Sequence, residues 1–355
     1  MRTSSEMTPK ERFECALRHE EPDRVPVFFM AMAATAREAG LEIAEYSKDP
    51  EKLARGQIAF YERYKPDCLT PGTDISMTGS SYGTKTEFHE GMTLPTIAEY
   101  AVNEPEDWER LEAPDPRRAG RRGVYLGAIE RISAKLGDEV PILGFIITPL
   151  TLSSWVAPLR RVVIDMKKNP DLLHKGLRTL TDSVKMRVET SIDAGISYFI
   201  MVTTRATRDV FTQEQYRKFG MVYDLEVLDY VIRKKIPVIV HLCGADPLLD
   251  MVATEYPIDG INWWDRGEKT YNLSEMKAKY GDRITLIGGV DQTRELILGS
   301  PEEVEQQAKD AIMQAADGGG FMLAPGCDLP PITPPENIKA MINAAKKYGK
   351  YPINP

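Results

Sequence analysis

Eight short runs of apolar, often β-branched residues recur along this 355-residue chain, and amphipathic stretches with helical spacing separate them. Strands of a parallel sheet are buried on both faces, so this alternation is typical of repeated β/α units. The runs cover residues 25–29, 67–70, 141–146, 198–202, 237–241, 260–264, 284–288 and 321–324. Eight such units predict an α/β fold, a closed (β/α)8 TIM barrel, whose functional groups lie at the carboxyl ends of the strands.

Two segments depart from this regular alternation. Residues up to about Glu20 predict an extra helix before the first strand, because Thr8 and Glu11 have the spacing of a capping box. Further capping boxes are predicted at Thr212, Ser300 and Thr333. The segment 74–107 is longer than an ordinary crossover and predicts a hairpin-like insertion after strand 2, able to act as a lid. We therefore expect a single barrel domain over residues 1–355.

Composition narrows the classes of partner. With 42% hydrophobic residues the chain can bury a large core, and its formal charge of −8 argues against a nucleic-acid surface. No apolar run reaches the length of a membrane-spanning helix, and the first residues lack the apolar region of a secretory signal. We expect a cytoplasmic protein with neither nucleic acid nor membrane as partner, and with reduced cysteines. The oligomeric state stays open.

Three candidate metal ligands lie where predicted strands end. His241 and Cys243 stand two residues apart at the end of the fifth run, so their side chains should point to the same side, and Cys327 follows the eighth run. Closed structural zinc sites use four Cys or His ligands, often in paired-cysteine motifs that this chain lacks. The pattern predicts an open, reactive zinc site with three protein ligands. The alternative for any one cysteine is a small core residue, which is how we interpret Cys15 and Cys68.

Charged and aromatic residues near the same predicted rim are further candidates. Asp265 closes the sixth run, and Arg205 and Arg208 follow the fourth. Either arginine could hold the carboxylate or sulfonate of a ligand, or else form a loop salt bridge. One of the neighbouring residues Trp263 and Trp264 should face inward, because successive strand residues alternate between faces. An inward tryptophan would favour an aromatic substrate.

Motifs spread over nearly the whole chain resemble the uroporphyrinogen decarboxylase superfamily, and within it the zinc methyltransferases similar to methylcobamide:coenzyme M methyltransferase. They cover residues 7–12, 23–27, 241–244, 288–291 and 324–338. The resemblance implies a zinc ion held by His241, Cys243 and Cys327, and a methyl group exchanged with a corrinoid that a partner protein carries. It also places Asp265 where some relatives have an acidic residue that fills the fourth zinc position. Asp74 falls near the catalytic aspartate of the decarboxylases, where it would contact substrate or corrinoid, or fix a loop.

Two departures from the family pattern bear on the substrate. Residues 28–35 contain no arginine, whereas the decarboxylases carry an arginine loop there that grips porphyrinogen carboxylates. Gly289 stands where coenzyme M enzymes usually have asparagine, which argues against coenzyme M as the partner. The expected substrate is therefore a small O-methyl compound, including an aryl methyl ether that would be O-demethylated, or a thiol. The alternatives are a decarboxylase-like activity and a non-catalytic corrinoid- or tetrapyrrole-binding protein.

Overall fold

The computed structural model describes residues 6–353, so the two ends of the predicted 1–355 domain lie outside the described residues. Its largest sheet has six parallel, almost entirely buried strands in the order of the sequence. They are β3 (Leu143–Ile147), β4 (Tyr198–Thr203), β5 (Val238–Leu242), β6 (Gly260–Trp263), β7 (Thr285–Val290) and β8 (Phe321–Pro325). The predictions for the last six runs are confirmed, because each strand begins and ends within two residues of its predicted bounds.

Residues 25–29 and 67–70, the first and second barrel segments, close the ring. Val27 forms a parallel bridge with Leu323 of β8, and Leu69 forms one with Ile142, just before β3. The Asp67 amide donates to the Val27 carbonyl oxygen at 2.9 Å, which joins the two segments to each other. The edges of the six-stranded sheet are thereby linked, as the (β/α)8 architecture requires.

The prediction that these two segments are regular strands is wrong. The Val27 amide donates to the Asp67 carboxylate at 2.7 Å rather than to a backbone carbonyl. The Ala31 amide likewise donates to the Thr70 hydroxyl at 2.9 Å. Pro26 has no amide hydrogen to donate. Side-chain acceptors therefore interrupt the backbone ladder at these two amides, while other backbone bonds, such as that from the Phe28 amide to the Leu323 carbonyl, are kept.

Helices surround the strands. They are α1 (Pro9–Leu17), α2 (Ile43–Tyr46), α3 (Pro50–Tyr64), α4 (Ser76–Ser80), α5 (Asp107–Arg110), α6 (Arg122–Leu136), α7 (Pro149–Val156), α8 (Leu159–Lys168), α9 (Pro170–Asp193), α10 (Gln213–Tyr216), α11 (Val222–Ile232), α12 (Leu249–Glu255), α13 (Leu273–Tyr280), α14 (Glu295–Leu298), α15 (Pro301–Ala315) and α16 (Pro335–Tyr348), with a 3-10 helix at Ala33–Ala39 and a π-helix at Arg217–Met221. The capping boxes at Thr8, Thr212 and Ser300 are confirmed. The one at Thr333 is wrong, because α16 begins at Pro335 and Pro334 takes the cap position.

The two predicted additions to the barrel are present. Helix α1 covers the amino-terminal end of the strands, where the Thr285 hydroxyl at the start of β7 donates to the Ala16 carbonyl at 3.0 Å. After the second barrel segment, β1 (Lys85–Glu87) pairs antiparallel with β2 (Thr96–Glu99) in the predicted hairpin. None of the helices between residues 6 and 353 combines the length and apolar character needed to cross a membrane.

Candidate metal centre

The barrel brings His241, Cys243 and Cys327 together. His241 lies within β5 and Cys243 follows that strand, while Cys327 comes just after β8. One ligand atom from each lies within 4.8 Å of the other two, and Cys327 Sγ is 3.5 Å from His241 Nε2. Ligands of a tetrahedral zinc ion are roughly 3.4–3.8 Å apart, given the usual zinc–nitrogen and zinc–sulfur bond lengths. The three side chains therefore fit one zinc ion without large movement.

Asn262, a residue that sequence reasoning missed, fixes the histidine ring. It lies directly beside His241 in the β5–β6 register. Its Nδ2 donates to the carbonyl oxygens of Ile287 at 2.8 Å and Pro325 at 3.0 Å, so its Oδ1 must face His241 Nδ1, at 2.6 Å. Because Asn262 Oδ1 can only accept, His241 must carry its hydrogen on Nδ1. The Nε2 atom is then unprotonated, and its lone pair faces the two cysteines. A polar residue inside a buried strand was the available sequence signal.

We expect Asn262→Leu to lower zinc affinity by about 10- to 100-fold, because the isosteric leucine cannot hold the Nδ1 hydrogen. Competition with a chromophoric chelator measures that affinity. Asn262→Asp is the matched variant, since its carboxylate still accepts from Nδ1 and should retain zinc better than leucine does. Equal zinc affinity in the leucine variant and the unmodified protein would show that Asn262 does not orient the ligand.

The two thiols have unequal proton affinities. Their mutual hydrogen bond raises the pKa of Cys243 to about 12, and the same bond lowers the pKa of Cys327. A cation held between the two sulfurs would favour the deprotonated form of both, as metal binding by cysteine requires.

A cavity of about 180 Å³ extends from the cluster into the mouth of the barrel. Its apolar wall consists of Met30, Met32, Ile75, Met77, Phe145, Ile147, Trp155 and Val202. Phe145 and Trp155 supply the aromatic surface that Trp263 or Trp264 was expected to supply. Those two tryptophans instead donate to the Tyr271 carbonyl and the Asp291 carboxylate, outside the cavity lining.

Asp74 lines the same cavity, as does Asp328 beside the cluster. Arg121 donates to both oxygens of Asp74, at 2.5 and 2.9 Å, and the Ser76 amide donates at 2.9 Å. Burial raises the pKa of Asp74, but the Arg121 guanidinium outweighs burial and leaves that pKa below its usual value. Asp74 is thus a fixed carboxylate facing the ligand space. Asp328 is a second cavity residue that sequence reasoning passed over.

The structure does not bring Asp265 to the cluster. Its Oδ1 accepts from the Gly289 amide at 2.9 Å, and its Oδ2 lies 3.3 Å from Arg266 Nε. Burial raises the pKa of Asp265 to about 6. It lies neither in the cavity lining nor in the group of ligand atoms around His241. These contacts hold the loop after β6 against β7, and the fourth metal position that the resemblance implies for Asp265 stays a prediction.

The two arginines after β4 differ. Arg205 is partly buried, and its Nε and Nη2 donate to the Ser154 hydroxyl at 2.9 and 2.8 Å. Burial lowers the pKa of Arg205, and an electrostatic interaction with Cys243 opposes that shift, so this arginine lies near the cluster. Arg208 is half-exposed and pairs with Asp246 at 3.1 Å, which matches the loop salt bridge of the alternative interpretation. It faces a different groove, beside Asp250.

The fold and the cluster together define a barrel protein with a candidate His/Cys/Cys metal centre at the carboxyl ends of its strands. The family model for uroporphyrinogen decarboxylase (URO-D) matches residues 8–348, and the chain belongs to that family. The methylcobamide:CoM methyltransferase MtaA of Methanosarcina barkeri is 25% identical over 97% of this chain and 99% of that protein. The uroporphyrinogen decarboxylase of Mannheimia succiniciproducens is 26% identical over 96% of this chain and 97% of its own.

A solved structure has the same fold. The methyltransferase from Methanosarcina mazei superposes with a TM-score of 0.85 and 24% sequence identity, over 97% of this chain and 99% of that one. The family thus contains relatives of similar identity whose names describe different reactions. The residues at the site must therefore decide between methyl transfer and decarboxylation.

Proposed function

We propose that this protein is a zinc-dependent methyltransferase that exchanges a methyl group between a small O-methyl or thiol compound and the cobalt of a corrinoid held by a partner protein. The observation that carries the proposal is the convergence of His241, Cys243 and Cys327 at the end of an apolar cavity. Bound zinc would lower the pKa of a thiol or phenol and so supply a reactive anion at neutral pH.

The residues of the chain have separable parts in this chemistry. Asn262 orients the His241 ring so that its unprotonated nitrogen would face a bound ion, and the two cysteines would add negative charge that keeps an anion on zinc reactive. Three protein ligands would leave one zinc position for that anion. The wall around Phe145 and Trp155 excludes water and positions the apolar body of the substrate.

A corrinoid bound at the mouth would supply or accept the methyl group. Zinc held by His241, Cys243 and Cys327 would stabilise the thiolate of a methyl acceptor, or the alkoxide or phenoxide that an O-methyl donor releases. Arg205, which is partly buried and interacts electrostatically with Cys243, is the arginine we propose for contact with the corrinoid.

The cavity argues against the decarboxylase alternative. It holds about 180 Å³, whereas pockets for drug-sized ligands are roughly 300–1,000 Å³. The residues that line it include no lysine or arginine, so several porphyrinogen carboxylates entering it would lack partners. A non-catalytic carrier would need neither the clustered thiols nor the oriented histidine.

Purified protein loaded with zinc should change the cobalt absorption bands of methylcobalamin when a thiol is added, or of cob(I)alamin when a phenyl methyl ether is added. A chelator should abolish the change, and re-added zinc should restore it, since the anion forms only on the metal. Incubation with uroporphyrinogen should yield no coproporphyrinogen. Decarboxylated product would instead support the decarboxylase, and cobalt turnover that survives zinc removal would contradict the proposal.

A further inference from the structure

We infer that the small molecule methylated or demethylated at this site is uncharged: a thiol or methyl ether with an apolar body and no carboxylate or sulfonate. This inference rests on the proposed function and narrows it, because it assigns a chemical class to the substrate. The observation behind it is the charge pattern of the cavity lining.

The lining contains two carboxyl groups and no lysine or arginine side chain. Asp74 and Asp328 line the cavity, and no lysine or arginine does so. Both Asp74 oxygens are occupied by Arg121, so this pair adds no net charge. Asp328 accepts from the Met32 amide at 3.4 Å, and no described arginine or lysine forms an ion pair with it. An anionic substrate would therefore meet a carboxyl group and find no counter-charge.

Three arginines lie near the cavity, but other groups engage them. Arg121 is bound to Asp74. Arg187 lies behind the lining, with its two Nη atoms 3.2 Å from the Ser81 hydroxyl and 3.5 Å from the Thr78 hydroxyl. Arg205 donates through two nitrogens to Ser154. None of the three is among the residues that line the cavity, so a sulfonate or carboxylate bound there would contact none of them unless the side chains moved.

The apolar part of the lining indicates what does bind. Methionine side chains adapt to irregular ligands, and Met30, Met32 and Met77 all face the cavity. Phe145 and Trp155 offer faces on which a small ring or alkyl chain can pack. The polar contribution near the metal comes from hydroxyl groups such as that of Thr204, which lines the cavity. An uncharged, partly apolar molecule matches this surface.

Three thiols of nearly equal size but different charge test the inference: 2-mercaptoethanol, 2-mercaptoethanesulfonate and 2-aminoethanethiol. With zinc-loaded protein and methylcobalamin, kcat/KM for the neutral thiol should exceed that for the sulfonate by about tenfold or more. Binding is measured separately, from the sulfur-to-metal absorption band that each thiol produces in cobalt(II)-substituted protein. A sulfonate that reacts as well as the neutral thiol, or an ammonium thiol that reacts best, would overturn the inference.

Failure of the proposed function would look different, because then no thiol of any charge would give the cobalt(II) band or demethylate methylcobalamin, and the inference would fall with it.

A substitution in the lining provides a second test of the role of charge. Met77→Lys places a cation in the lining and should raise the sulfonate-to-neutral ratio of kcat/KM by about tenfold, while Met77→Gln should leave that ratio unchanged. An unchanged ratio in the lysine variant would show that charge in the lining does not select the substrate.

Discussion

His241→Ala is expected to remove most of the zinc and to lower methyl transfer by more than about 100-fold. Substitution of a residue that hydrogen-bonds to a metal ligand commonly lowers metal affinity or activity about 10- to 100-fold, so loss of a ligand itself should have a larger effect. Cys243→Ala and Cys327→Ala should behave similarly, because each leaves only two protein ligands. Zinc per chain, measured by elemental analysis, and cobalt absorption are the two measurements.

The matched control for the ligand variants is Cys15→Ala. Cys15 is a buried cysteine in α1, outside the metal cluster, so its replacement should leave zinc content unchanged. Circular dichroism should show that all four variants keep the barrel, since the ligands lie at strand ends and on loops. Full zinc content in all three ligand variants would contradict the assignment of the centre.

Asp67→Asn should lower the free energy of unfolding by about 3 kcal/mol, because it removes the buried carboxylate that Arg12 and Arg24 share. Arg12 keeps Asp23, but Arg24 is left without a carboxylate partner among the described residues. Asp67 is buried and accepts from Arg12 at 2.6 Å and from Arg24 at 2.8 Å, besides the Val27 amide. It thereby ties α1 and the first barrel segment to the second. The midpoint of urea unfolding, at an unchanged slope, measures the loss.

Glu62→Gln is the control for that stability measurement. Glu62 pairs with Lys135 on the surface, where both side chains are about half exposed. Removing such a pair should barely move the unfolding midpoint. If Asp67→Asn moved the midpoint no further than Glu62→Gln does, the contacts of Asp67 would not be what stabilises the first two barrel segments.

The hydrogen bonds of Asp67 also explain where prediction of the fold from sequence succeeded and where it did not. Strands β3 to β8 are mostly apolar runs joined by continuous parallel ladders, and their pattern is visible in the sequence. The first two segments have the same apolar pattern, but Asp67 and Thr70 side chains replace backbone acceptors there. Long-range hydrogen bonds of this kind leave no periodic signal, so strand propensity overestimated the regularity of both segments.

The convergence of the three candidate ligands was predictable because a barrel places all strand ends on one rim. That rule alone predicts the proximity of His241, Cys243 and Cys327, although Cys327 is far from the other two in sequence. Asp265 satisfies the same rule yet lies outside the cluster, since its side chain points to the Gly289 amide. A position at a strand end thus places a residue on the rim of the barrel, but it does not determine where the side chain points.

Residues that line the cavity were harder to predict. Phe145 and Trp155 come from β3 and α7, and neither stands in a motif, whereas the Trp263–Trp264 pair is conspicuous in sequence but lies outside the lining. Asn262 looks unremarkable until its neighbour across the sheet is known to be His241. Which residues line the cavity depends on strand register and helix packing together. Neither can be read from local sequence patterns alone.

Zinc K-edge X-ray absorption of the purified protein is the most direct test of the metal centre. The proposed site predicts about one zinc ion per chain, with two sulfur neighbours at about 2.3 Å and a nitrogen neighbour at about 2.0–2.1 Å. Addition of a neutral thiol should bring a third sulfur into the coordination shell. A shell of oxygen and nitrogen alone, or a protein that does not retain zinc, would contradict the centre and the methyl transfer proposed for it.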